Sequence, residues 1–451
     1  MILPQYVTDI LDALENQGYA AYAVGGCVRD AVLGLSPQDY DVCTAALPQQ
    51  TEAVFAGRRL VLSGKKHGTV GVVTEQGVVE ITTFRTEGTY RDNRHPDWVE
   101  FVPEIEKDLA RRDFTVNAMA YSPKRGFADP FGGREDLRKG ILRAVGDPAQ
   151  RFREDSLRIL RGVRFAVRYG LAVEKDTQQA MIAEAPLMDN LARERVFEEL
   201  CKLLPLVTAL DLKRFAPVLT QVIPELAPLV DFDQRSPHHA YDLFTHVAHV
   251  VEGVPGELTL RWAALLHDIG KIPTFTQDET GRGHFYGHAG VGAEMADAVL
   301  RRLKAPTALR AQVVLLIEKH MTRLIPEKKN LRRWLGRLGW DTVDSLLKLQ
   351  EADMGSKGTG VLPEMEQFPQ IRAVLEEIRA ENACLSLKDL AVNGNDLMAL
   401  GLTGKAIGEA LNALLEQVID EKLPNERAAL LGFVKENRQS GLSCCGLEGN
   451  Q

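Results

Sequence analysis

Gly25-Gly26-Cys27-Val28-Arg29-Asp30, followed shortly by Asp39-Tyr40-Asp41, is the stretch that decides how this chain is read. A glycine pair lets backbone N–H groups approach a bound group closely, and Arg29 stands beside it. On a strand, residues i and i+2 point to one face, so Asp39 and Asp41 can grip a pair of cations together. The turn Gly25-Gly26, the arginine and the two aspartates combine into a nucleoside-triphosphate and Mg²⁺ site. The pattern predicts phosphoryl or nucleotidyl transfer. A D-x-D alone is common in exposed turns, so its company carries the weight.

That company begins with Glu80, in a strand-like run ending at Phe84, which is placed to add a third carboxylate. Arg111-Arg112-Asp113-Phe114-Thr115-Val116-Asn117 follows, and guanidinium forks match phosphate oxygens. As residues alone, Asp113 also reads as a helix cap. Further on, Glu154-Asp155-Ser156-Leu157-Arg158-Ile159-Leu160-Arg161 places Asp155, Arg158 and Arg161 at helical spacing, a pattern shared with solvated, salt-bridged helix faces.

Between Tyr22 and about Ala144, short β-branched runs alternate with glycine turns. Residues 68–74 and 77–84 read as a strand pair joined at Glu75-Gln76-Gly77. After about Asp147 strand signals nearly vanish, and segments 156–166 and 194–204 carry apolar residues at helical period. Pro205, Pro217, Pro224, Pro228 and Pro237 mark a boundary near 230. At 451 residues, three or four domains are expected. The net charge of −8 requires that nucleic acid be held by local basic faces. No apolar run is long enough for a bilayer, Met1 is followed by no leader, and six scattered cysteines build no zinc knuckle or disulfide framework, so a reduced cytoplasm is expected. The adjacent Cys444-Cys445 has no functional reading.

Taken in order, these motifs, with Glu194-Arg195-Val196-Phe197-Glu198-Glu199-Leu200 as the fourth, resemble the class II tRNA nucleotidyltransferases, the CCA-adding enzymes. That family shares a polymerase-β-like head with bacterial poly(A) polymerases. The resemblance implies that Asp39 and Asp41 bind Mg²⁺ and that Gly26, Arg29 and Arg112 hold the triphosphate. It implies that Asp155, Arg158 and Arg161 act as an amino-acid template for the base edge, with Arg164 supporting them or the triphosphate. Carboxylate and guanidinium together offer the acceptors and donors that cytosine and adenine require. The loop at 85–98 corresponds to the family's switch from C to A addition, and residues 127–137 to its hinge motif.

A second constellation is His246, His267-Asp268-Ile269-Gly270-Lys271 and Asp353, with His284, His288 and His320 nearby. His-Asp closing an apolar helix directs two ligands at one metal. The set resembles the HD phosphohydrolase superfamily, which implies a second divalent metal, held by His246, His267, Asp268 and Asp353, and hydrolysis of phosphoesters at RNA ends. Among the remaining histidines, His288 ranks first for a second metal or a phosphate. Towards the C-terminus, the Asn393–Gly408 region offers glycine turns and Lys405 to a phosphate backbone.

The expected fold is α+β: a nucleotidyltransferase head (1–145), an all-helical neck for base recognition and RNA binding (146–230), an HD-type body (231–358), a helical tRNA-binding tail (359–438) and a disordered end (439–451). The expected activity is stepwise CCA addition from CTP and ATP. An A-adding or poly(A)-adding relative, and an HD-domain RNA phosphohydrolase with a merely nucleotide-binding head, are the alternatives. The expected partners are the acceptor and TψC arms of tRNA, with no membrane.

Overall fold

The computed structural model describes residues 1–88, 99–236, 240–358 and 365–439. The chain forms two compact units, Met1–Ala227 with Val299–Ala305, and Pro228–Ala298 with the chain from Pro306 onward.

The first unit opens with the helix Gln5–Asn16, whose Val7, Ile10, Leu11 and Leu14 recur every three to four residues and are buried. Among the described residues, nine strands follow as far as Ala128: β1 (Ala21–Val24), β2 (Asp41–Thr44), β3 (Leu60–Val61), β4 (Thr69–Thr74), β5 (Gly77–Thr83), β6 (Arg85–Glu87), β7 (Val99–Phe101), β8 (Ala120–Ser122) and β9 (Gly126–Ala128). Seven of them build one sheet in the order β3-β4-β5-β2-β1-β8-β9, while β6 and β7 pair separately. The expected β4–β5 hairpin is antiparallel, with Val72 opposite Val79. The loop expected at 85–98 begins as β6, and residues 89–98 lie outside the described residues.

All four residues of β1 are buried because the sheet is covered on both faces. Ala21, Val42 and Ile81 pack with the first helix, whereas Tyr22, Val24 and Cys43 pack with Phe84, Ile105 and Leu109 on the opposite side. Alternate residues of one strand thus serve two cores. Each fully buried aliphatic side chain stabilises by about 1.5–3 kcal/mol relative to exposure.

Beyond the sheet the first unit is mostly helical, with a short parallel strand pair, Ile141–Leu142 and Ala172–Val173. Pro148–Glu154 starts on Asp147, whose carboxylate accepts from the Ala149 and Gln150 N–H groups. Leu157–Tyr169 ends at Gly170, which has φ 62°. Gly162 lets this helix pack tightly, since a Cβ there would lie 2.8 Å from the Phe114 ring. Arg193–Leu203 packs beside it.

Among the described residues the second unit is built from helices, including Leu243–Gly253, Leu258–Leu266, Thr307–Lys319, Lys328–Leu338 and Trp340–Gly355, with one two-residue strand pair, Thr276–Gln277 and Gly283–His284. A separate core near its end joins Leu390, Val392, Leu397, Leu414, Leu430 and Val434. Asn393 caps the short helix Gly394–Ala399 through the Asn395 and Asp396 N–H groups. The expected disordered end falls outside the described residues from 440 onward.

Candidate functional site

Gly25 adopts φ 75°, ψ −124°, and a Cβ there would lie 3.0 Å from Arg112 Nη1. Glycine is therefore required twice over, by conformation and by the close approach of the arginine. Val24, just before the turn, pairs with Asp41 across β1 and β2. Strand β5 runs parallel to β2 with Ile81 beside Val42, so Glu80 and Asp41 precede a matched pair. Asp39, Asp41 and Glu80 all reach water. Partial loss of solvent, then the charges of Asp39 and Glu80, raise the Asp41 pKa, with Arg112 opposing. Hard carboxylate oxygens that repel one another fit Mg²⁺. The three do not close to the 4.8 Å mutual spacing reached by the histidine cluster described below.

Arg112 donates Nη2 to Asp108 Oδ2 at 3.3 Å, while its buried Nε has no hydrogen-bond partner. A spare buried donor beside the glycine turn suits a phosphate oxygen. Asp108, almost fully buried, also binds Arg111 at 2.9 Å. Sequence motifs do not single Asp108 out; its i,i+3 and i,i+4 spacing to the two arginines is the one signal it carries.

Arg29 is differently engaged. It contacts Asp30 Oδ1 at 2.7 Å, Asn117 Oδ1 at 2.6 Å and the Tyr169 hydroxyl at 2.5 Å, with its guanidinium 4.4 Å from the Tyr169 ring centroid. These contacts tie the helix Gly26–Val32 to the end of Leu157–Tyr169.

The base-reading candidates do not all share one helix face. Asp155 lies in extended backbone between two helices, its Oδ1 accepting from Leu157 N at 3.1 Å and its Oδ2 meeting Arg195 at 2.9 Å. Arg158 is buried, donating to Glu154 Oε2 at 2.9 Å and to the Arg111 carbonyl at 3.0 Å. Arg161 holds Asp113 Oδ2 at 2.8 Å, and Arg164 holds Glu199 Oε2 at 2.6 Å. Burial would raise Asp113, but Arg161, the Asn117 hydrogen bond and Arg158 bring it down to about 2.

The second constellation converges closely. Ligand atoms of His246, His267 and Asp268 lie within 4.8 Å of one another, as do those of Asp268, His288 and His320. Asp353 Oδ1 is 3.1 Å from His246 Nε2. The Nδ1 atoms of His246, His267, His288 and His320 each face a backbone carbonyl, those of Ser356, Ala264, Phe285 and Ile317. Fixing Nδ1 this way orients every Nε2 into the cluster, the arrangement of preorganised metal-binding imidazoles. Burial lowers the His246 pKa, but hydrogen bonds to Asp268 and Asp353 outweigh it and hold it at about 9. Gly270 is needed because a Cβ would lie 2.2 Å from the His288 carbonyl. A cavity of 240 Å³ opens on the cluster, lined in part by Lys271 and Lys357. His284 instead places Nε2 on Asp278, at 2.9 Å.

The sheet, glycine turn and acidic edge of the first unit are those of a polymerase-β-like nucleotidyltransferase head, and the family model for the poly(A) polymerase head domain matches residues 21–143. The family models described as "Probable RNA and SrmB- binding site of polymerase A" and "tRNA nucleotidyltransferase domain 2 putative" match residues 170–206 and 275–434. A CCA-adding enzyme of Geobacillus stearothermophilus is 44% identical over 98% of this chain and 99% of its own length. Another, from Bacillus velezensis, is 32% identical over 93% and 94%. The chain belongs to the CCA-adding enzyme family. The crystal structure of the Bacillus stearothermophilus CCA-adding enzyme in complex with CTP superposes with a TM-score of 0.71 at 28% identity, covering 98% of this chain and all of that one. A Thermotoga maritima CCA-adding enzyme complexed with tRNA shares the fold, with a TM-score of 0.61 at 21% identity and 96% of each chain covered.

Proposed function

We propose that this protein adds C, C and A stepwise to tRNA 3′ ends from CTP and ATP, without a nucleic-acid template. The observation that carries this reading is end-to-end relationship to CCA-adding enzymes at up to 44% identity, joined to one place where Gly25, Arg112 and three carboxylates meet. Those full-length relatives favour it over A-only or poly(A) addition.

In this reading Mg²⁺, held by Asp39 and Asp41, supplies activation of the attacking hydroxyl and neutralisation of the leaving pyrophosphate. Glu80 adds negative charge to the same edge. Gly25 and Gly26 admit the triphosphate to the backbone, and Arg112 offers its spare donors. Arg29 acts chiefly by holding Gly26–Val32 against Tyr169. The tRNA 3′-hydroxyl attacks the α-phosphate in line. Asp155 accepts from the exocyclic amine of the base, and Arg158 donates to the neighbouring ring nitrogen. Arg161 and Arg164 keep this segment in place through Asp113 and Glu199. The four-part division of the chain, tRNA gripping by the helical parts and residence in the cytoplasm belong to the same proposal. Among the described residues no helix is long and apolar enough to cross a membrane.

Asp39→Ala and Asp41→Ala are expected to lower addition of both nucleotides at least about 100-fold while tRNA binding persists in gel shifts. Retained turnover removes the metal assignment.

The histidine cluster favours a second activity, metal-dependent phosphoester hydrolysis by an HD-type body. A divalent ion there, held by His246, His267, Asp268 and Asp353, supplies activated water. His288 and His320 complete a second ligand group around the shared Asp268. Elemental analysis of the double variant His267→Ala, Asp268→Ala should show loss of bound divalent metal with CCA addition intact. Full metal content in that variant contradicts the reading.

A further inference from the structure

We infer that Arg195 is a specificity-determining positioning residue, clamping the Asp155 carboxylate so that its acceptor oxygens meet the incoming base in one fixed orientation. The inference rests on the proposed role of Asp155 and Arg158 in reading the base.

Asp155 has an extended backbone, φ −144° and ψ 101°, at the joint between Pro148–Glu154 and Leu157–Tyr169. Regular helix packing does not fix a side chain at such a joint. Two contacts do: Leu157 N donates to Oδ1 at 3.1 Å, and Arg195 Nη2 donates to Oδ2 at 2.9 Å, with Nη1 3.5 Å from Oδ1. A carboxylate offers about four lone-pair positions, so acceptor capacity remains for a ligand. Arg158 is held in parallel by Glu154 and the Arg111 carbonyl. One turn beyond Arg195, Glu199 binds Arg164 at 2.6 Å with both side chains nearly buried. Arg195 and Glu199, four apart on the helix Arg193–Leu203, therefore grip both ends of the segment from Asp155 to Arg164.

The consequence is chemical. Cytosine and adenine each present an amine donor beside a ring-nitrogen acceptor, whereas uracil and guanine present a carbonyl acceptor beside a ring N–H. An ionised carboxylate only accepts and a guanidinium only donates. Held side by side in fixed order they match C and A and oppose U and G. A carboxylate released to rotate leaves Arg158 free to donate to the uracil or guanine carbonyl, and discrimination falls.

The test uses the full chain with tRNA transcripts lacking CCA, supplied with CTP or UTP, and ending in CC, supplied with ATP or GTP. Arg195→Ala should lower the CTP/UTP and ATP/GTP ratios of kcat/KM about tenfold or more, and Arg195→Lys should restore part of that loss. Arg193→Ala, on the same helix as Arg195, removes only a surface contact with Asp189 in the preceding turn and should leave both ratios unchanged. Equal loss on all four nucleotides, or wild-type ratios in Arg195→Ala while Asp155→Asn shifts them, overturns the inference alone. Wild-type ratios in Asp155→Asn overturn the base-reading role itself, and the inference with it. If Arg195→Ala melts below the wild type, Arg195→Gln takes its place, with lowered ratios supporting the inference and wild-type ratios overturning it.

Discussion

At the scale of single residues, the glycine turn is the most constrained point of the head. Gly25→Ala puts a side chain into a left-handed backbone conformation and within 3.0 Å of Arg112. The expected cost is about 1–3 kcal/mol of stability, read by urea melts, together with a raised KM for both CTP and ATP. Wild-type stability and KM would mean that the turn relaxes freely. This turn, Asp39, Asp41 and Glu80 were legible because their chemistry depends on short spacings along one or two strands. Asp108, Glu199 and Tyr169 escaped as partners because their roles arise from contacts between distant segments. Arg29 shows the reverse problem: residue type suggested a phosphate ligand, but folding spends its guanidinium on Asp30, Asn117 and Tyr169.

At the scale of elements, the helix Leu157–Tyr169 is tied to the head by charge as well as by Phe114 packing at Gly162. Asp113 titrates at about 2 in the folded chain against 3.8 ordinarily, with Arg161 the main favourable charge. A depressed carboxylate stabilises above its unfolded pKa and loses that contribution as pH falls through the folded value. The link is therefore complete above about pH 4, contributes about 2–3 kcal/mol near neutrality, and fades between about pH 4 and 2. Asp113→Asn should lower stability at pH 7 and flatten the acid limb of denaturant melts taken across that range. An unchanged acid limb contradicts the assignment. Helical period located Leu157–Tyr169 and Arg193–Leu203 within a few residues of the expected segments. It could not reveal that Asp155 sits in a joint rather than on the helix, since spacing is blind to a one-residue break in the backbone.

At the scale of the whole molecule, the chain carries two chemically distinct centres, an acidic edge on a sheet in one unit and an imidazole–carboxylate cluster among helices in the other. The cluster was visible as His-Asp followed by Gly-Lys, but the inclusion of His320 and the exclusion of His284 depended on tertiary contacts. Gly270→Ala should disturb the approach to the His288 carbonyl and lower metal content, while the head continues to extend tRNA. Loss of extension in a folded Gly270→Ala protein would mean that the two centres depend on each other.

The central claim is tested most directly by a gel-resolved extension assay. Purified protein and Mg²⁺ are incubated with tRNA transcripts ending before CCA, after C and after CC, with CTP, ATP or both. The account predicts that CTP alone adds C up to CC, ATP extends only the CC-ended transcript, and both together complete CCA and stop. Extension of only the CC-ended transcript, or a run of A beyond the first, would contradict it.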